Sequence, residues 1–139
     1  MGVYGAPRSI CSVVDVRSSG ILTSGYLASD DIVVAGSNVV YLYTKFIVGS
    51  SNGAHIKVEF SPDSSEWYQE SWTKQVDASG TLTSIPYVRE VLVSSSVVIP
   101  VEISSNYMRV STEGIPSVDT SVPTADSAIY IVGLICNGV

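Results

Sequence analysis

The chain has 139 residues, 45% of them hydrophobic and only 14% charged, with a formal net charge of −6. An ordinary soluble domain carries roughly 25% charged residues, so a chain this poor in charge has trouble keeping its copies apart, and part of its surface is expected to be covered by another chain. The seven basic residues (Arg8, Arg17, Lys45, Lys57, Lys74, Arg89 and Arg109) are scattered without a stripe, which argues against binding to nucleic acid or to an anionic membrane surface.

Taken from the start, "MGVYGAPRSICSVV" lacks the charged region and continuous apolar run of a signal peptide. Ala6 stands where a myristoylation start needs serine or threonine, and no apolar run approaches the ~20 residues of a membrane-spanning helix. The dominant periodicity is two, with Val- and Ile-rich runs broken by Gly, Pro, Ser and Asn. "ICSVVDV" (Ile10 to Val16) is the first predicted strand. "GILTSGYL" and "DIVVAG" follow as short strands near an edge. "NVVYLYTKFIVG" (Asn38 to Gly49) is apolar on both faces as far as Lys45, which marks a central strand with Tyr41 and Tyr43 packed. "GSSNG" (Gly49 to Gly53) reads as a hairpin turn around Asn52-Gly53; it lacks the lysine and the helix of a phosphate loop.

"HIKVEF" alternates cleanly, with Ile56, Val58 and Phe60 on one side and His55, Lys57 and Glu59 on a wet face. In "SPDSS", Pro62 presets φ and Asp63 bonds the local backbone, which makes a tight turn. "EWYQESW" is the expected returning strand, with Tyr68 and Trp72 on one side and Trp67 on the other. At least one tryptophan is expected in the core. "VREVLVSSSVVIPVEI" (Val88 to Ile103) holds two strands or one bent strand, and Pro100 confines it to an edge or a bulge. "NYMRVSTEG" and "SAIYIVGLICNG" are the last strands. Between them "IPSVDTSVPTAD" is a long aperiodic loop, of the kind that is usually functional or interfacial. No helix, repeat or domain boundary is evident. The whole reads as one antiparallel β-sandwich domain, jelly-roll-like, over residues 1–139, with 1–9 as an N-terminal contact arm.

Catalytic chemistry is not legible. His55 is the sole histidine; it sits on a polar face and reads as a solvated side chain. No serine lies in a nucleophile elbow. Glu66 and Glu70 are a carboxylate pair of the sort glycosidases use, but acids scattered through a domain produce such pairs by chance. Asp30-Asp31 lacks the ladder of a calcium loop and suits turn duty. Cys11 and Cys136 lie near opposite ends. They meet as a disulfide if the first and last strands are neighbours; two buried free thiols are the simpler reading for a chain made in a reducing cytoplasm. No enzyme activity, cofactor or metal is expected. Exposed rings at Trp67, Tyr68 and Trp72 would suit a sugar face or a protein interface.

"IKVEFSPDSSEWYQES", then "NYMRVSTEG", then "SAIYIVGLICNG" together resemble small β-sandwich virion proteins of tailed bacteriophages. The resemblance runs from Asn38 to Asn137. Ser64-Ser65 departs from it, since glycine usually follows the aspartate. It implies a non-enzymatic structural protein of a virion, a capsid decoration or auxiliary protein or else a neck or tail component, synthesised in the host cytoplasm. Its partners would be copies of itself and other virion proteins, the major capsid protein first among them. Candidate contacts are Val3, Tyr4 and Pro7 in the arm, Pro116 and Pro123 in the loop, and Trp67, Tyr68 and Trp72. The alternative is a carbohydrate-binding module that takes a glycan on those aromatics.

Overall fold

The computed structural model describes residues 10–18, 22, 25–49, 52–75, 78–115 and 127–137. Val3, Tyr4, Pro7, Pro116 and Pro123, with the arm and most of the long loop, lie outside the described residues. The strands are β1 (Ile10–Arg17), β2 (Leu27–Ala28), β3 (Ile32–Val33), β4 (Val39–Ile47), β5 (Gly53–Ser61) and β6 (Tyr68–Gln69). They continue as β7 (Ser71–Gln75), β8 (Leu82–Pro86), β9 (Arg89–Val91), β10 (Ser95–Glu102), β11 (Tyr107–Ile115) and β12 (Ala128–Asn137). No helix occurs among the described residues, so none is long and apolar enough to cross a membrane.

One sheet runs β1-β12-β4-β10. The other runs β2-β11-β5-β6, with β3 also on β11 and β9 also on β5. Every pairing is antiparallel. The two sheets close on one core. Val40, Leu42 and Phe46 from β4 and Ile129 and Ile131 from β12 meet Ile56 and Val58 from β5 and Met108 and Val110 from β11. Each such fully buried side chain contributes about 1.5–3 kcal/mol through the surface it withdraws from water. The expected all-β sandwich is therefore what the chain forms.

Several local expectations are corrected. The strands either side of "GSSNG" do not form a hairpin: β4 pairs with β12 and β10 while β5 pairs with β11 in the other sheet, and Ser50 and Ser51 lie outside the described residues. Gly53 has φ +146°, and a Cβ there would lie 2.6 Å from the Val91 carbonyl oxygen; glycine is needed because β9 lies against it. "EWYQESW" is not one strand. It pairs with β5 only at Tyr68 and Gln69, and after Glu70 it leaves to form a separate two-stranded ribbon with β8. The segment Val88 to Ile103 holds two strands, β9 and β10, one in each sheet. Pro100 sits on β10, an edge strand, as its missing N–H requires away from a bulge.

Cys11 and Cys136 are directly opposed on β1 and β12, their Cα atoms 4.1 Å apart, and they form a disulfide. The free-thiol reading is overturned because the first and last strands are neighbours in one sheet.

Candidate interaction surfaces

The turn after β5 is built by two short side chains. The Ser61 hydroxyl accepts from the backbone N–H of Asp63 at 3.2 Å and of Ser64 at 2.8 Å. Asp63 Oδ1 accepts from the N–H of Ser65 at 2.9 Å, from that of Glu66 at 3.2 Å and from the Ser61 hydroxyl at 3.1 Å. Donation by Ser65, then Glu66, then Ser61 holds the Asp63 carboxyl below its ordinary value, since hydrogen bonds to the charged form favour it. Ser64 takes φ +64°, the conformation glycine would adopt most easily, and its hydroxyl donates to Asp31. Asp31 thus ties the β2–β3 segment to this turn.

Past the turn, the aromatics separate. Trp67 is half-buried, with the Arg109 guanidinium 4.4 Å from its ring. Arg109 in turn donates to both carboxylate oxygens of Glu59, at 3.0 and 3.4 Å. Tyr68 is exposed and donates to Glu66. Trp72 is 48% exposed, so neither tryptophan belongs to the core. The expectation of a core tryptophan fails because Trp67 precedes β6 and lies under Arg109, and Trp72 is on β7, past the point after Glu70 where the chain leaves the main sheet. Tyr68 and Trp72 sit on different sheets instead of sharing one side of a strand. Trp72, Pro86, Tyr87 and Val88 line an open groove of about 620 Å³.

The outer face of the β11-β5 sheet is polar along its middle, with Tyr107 and Ile115 of β11 at its two ends and Val33 beside Tyr107. Arg109 pairs across to Glu59 and Ser111 lies opposite Lys57. His55 sits between Glu113, 3.1 Å from Nδ1, and Glu90, 3.2 Å from Nε2, so it is held between two carboxylates and not freely solvated. Lys57 lies 4.4 Å over the Tyr26 ring. Arg89 makes a two-pronged pair with Glu70 and covers the Tyr87 ring. Glu66 and Glu70 are therefore held by different partners, Tyr68 and Arg89. Among the described residues, no three or more of His, Cys, Asp and Glu are grouped to hold a metal ion.

The outer face of the other sheet is apolar. Register places Val13, Leu134, Tyr41 and Pro100 in one row across its four strands, and Asp15, Val132, Tyr43 and Val98 in another. A further row is Tyr130, Lys45 and Ser96. Tyr43 is exposed, so the expectation that it packs inside is corrected. The rows lie on the side opposite the core.

No protein-family profile matches the chain, and no curated protein does. Among solved structures the chain is similar to the SPBc2 prophage-derived protein YomS, at 11% identity over 93% of this chain and 95% of that one, with a TM-score of 0.50. At that identity the likeness is one of fold.

Proposed function

We propose that the chain is a non-enzymatic structural protein of a bacteriophage virion, a capsid decoration or auxiliary protein ahead of a neck or tail component. The observation that carries this reading is the fold shared nearly end to end with a prophage-derived protein. The interleaved strand orders support a jelly-roll arrangement, a layout used by viral shells and by lectins. Charged side chains on the polar face are engaged with one another in pairs, which suits a surface kept soluble more than one kept reactive. Particles banded from a lysate of the phage that encodes this chain, examined by mass spectrometry, test the reading. The chain is expected to band with the particles in stoichiometric amount; recovery only in the soluble fraction overturns the reading.

The carbohydrate-binding alternative keeps one supporting observation, the exposed Trp72 beside an open groove. That groove is lined by Trp72, Pro86, Tyr87 and Val88. It offers few of the polar groups that orient a bound small molecule, and Trp67 is already covered by Arg109.

A further inference from the structure

The two outer faces of this sandwich differ in a way that folding alone does not require. One carries Arg109–Glu59, Lys57 over Tyr26, and His55 between two glutamates. The other exposes Val13 at 73%, Val98 at 49%, Tyr43 at 47%, Val132 at 41% and Tyr130 at 40%. Exposed valines scattered singly need no explanation, but a contiguous apolar patch marks a contact site. We infer that the outer face of β1-β12-β4-β10 is the surface by which two copies of this chain pair, sheet against sheet. The inference rests on the virion reading, in which copies meet one another, and it names the surface they use.

Three features favour a second copy as the occupant. The first is charge. Asp15 and Lys45 lie in adjacent rows of this face, and Glu102 stands at its rim on β10. A two-fold axis in the interface that sets Asp15 against the partner's lysine sets Lys45 against the partner's aspartate, so the face is its own complement. The second is relief. Tyr43, Thr44, Lys45, Ser96, Val97 and Val98 line a depression of about 210 Å³, which can receive an aromatic ring, and Tyr41 and Tyr130 stand on the same face as rigid anchors. The third is area. Four strands about 4.8 Å apart, over about 24 Å of length, give a footprint of roughly 450 Å² per copy and about 900 Å² for the pair. Side-chain relief raises the accessible area above this plane, toward the roughly 1,200 Å² of the smaller stable interfaces. Two such faces would pack about 10 Å apart, like the sheets of an aligned sandwich.

Sedimentation velocity of the purified chain from about 1 μM to about 100 μM, a range that brackets a modest dimer affinity, tests the inference. The wild type is expected to pass from the 14.7 kDa chain mass to twice that mass. Tyr43→Lys with Val132→Lys, at exposed positions, is expected to remain at the chain mass with unchanged thermal unfolding. Should that variant fold poorly, charge reversal carries the test. Asp15→Lys alone is expected to weaken pairing at least ten-fold, and Asp15→Lys with Lys45→Asp to restore it. A wild type that stays monomeric at the highest concentration overturns the inference, as does an assembly that ignores these substitutions. A monomer that still bands with particles removes this pairing and leaves the virion reading standing. A lysine-sensitive dimer that never bands with particles keeps the pairing and removes that reading.

Discussion

Asp63 shows how one short side chain organises a turn that otherwise lacks its expected glycine. Its carboxylate collects donations from Ser65, Glu66 and Ser61 while Ser64 holds φ +64°. Because the folded state depresses this carboxyl, its stabilisation is fully present above the ordinary aspartate value, about 3.9, and is lost as pH falls through the lower folded value. Asp63→Asn is therefore expected to lower Tm at neutral pH, with the variant and wild-type curves converging below about pH 4. Tm measured by circular dichroism against pH checks this; curves that stay parallel into acid would show that the turn does not depend on the charge. Pro62 and Asp63 were enough to read a turn from the sequence. The left-handed serine was not readable, because it is held by Asp31, which is remote in the chain. Trp67 was ambiguous for a similar reason. A tryptophan stacked on an arginine that is itself clamped by Glu59 looks, in sequence, like a core residue or a free ring.

At the scale of strands, alternation was legible wherever one face met the core. His55, Lys57 and Glu59 do face outward, and Ile56 and Val58 inward. Alternation did not reveal where a strand changes sheets, which is why "EWYQESW" and "GSSNG" were misassigned. The ribbon of β7 and β8 went unseen because "TLTSIP" buries little, Leu82 being exposed. The terminal strands carry the covalent tie. The bond between Cys11 and Cys136 spans 125 residues of sequence and fastens β1, an edge strand, to β12. Closing so long a loop removes denatured-state entropy, so Cys11→Ser is expected to lower unfolding free energy by about 2–5 kcal/mol. Urea unfolding with and without reductant checks it. The wild type in reductant should fall to the level of the variant, and a wild type indifferent to reductant would contradict the tie. The pairing of ends was not decidable from spacing, since it depends on β1 and β12 being neighbours.

For the molecule as a whole, the low charge has a definite location. Charged pairs are concentrated on the outer face of the β11-β5 sheet, while the opposite face shows rows of valine, tyrosine and leucine. The sequence of β4, apolar on both faces as far as Lys45, correctly marked a central strand, which lies between β12 and β10 with an apolar set of side chains on each face to cover. One cover is the core; the other is not supplied by the described part of this chain, and no periodicity can say what supplies it. On the pairing inferred above, this second cover is another copy within an assembled particle. Hydroxyl-radical footprinting, read by mass spectrometry on the chain in banded particles and on the free chain at about 1 μM, where pairing of modest affinity is dissociated, tests this most directly. Several-fold protection of Tyr41, Tyr43 and Tyr130 is expected in particles, with Tyr68 and Trp72 as reactive as in the free chain. Unprotected Tyr43 and Tyr130 beside shielded Tyr68 and Trp72 would contradict it and move the contact to the aromatics beyond the Asp63 turn.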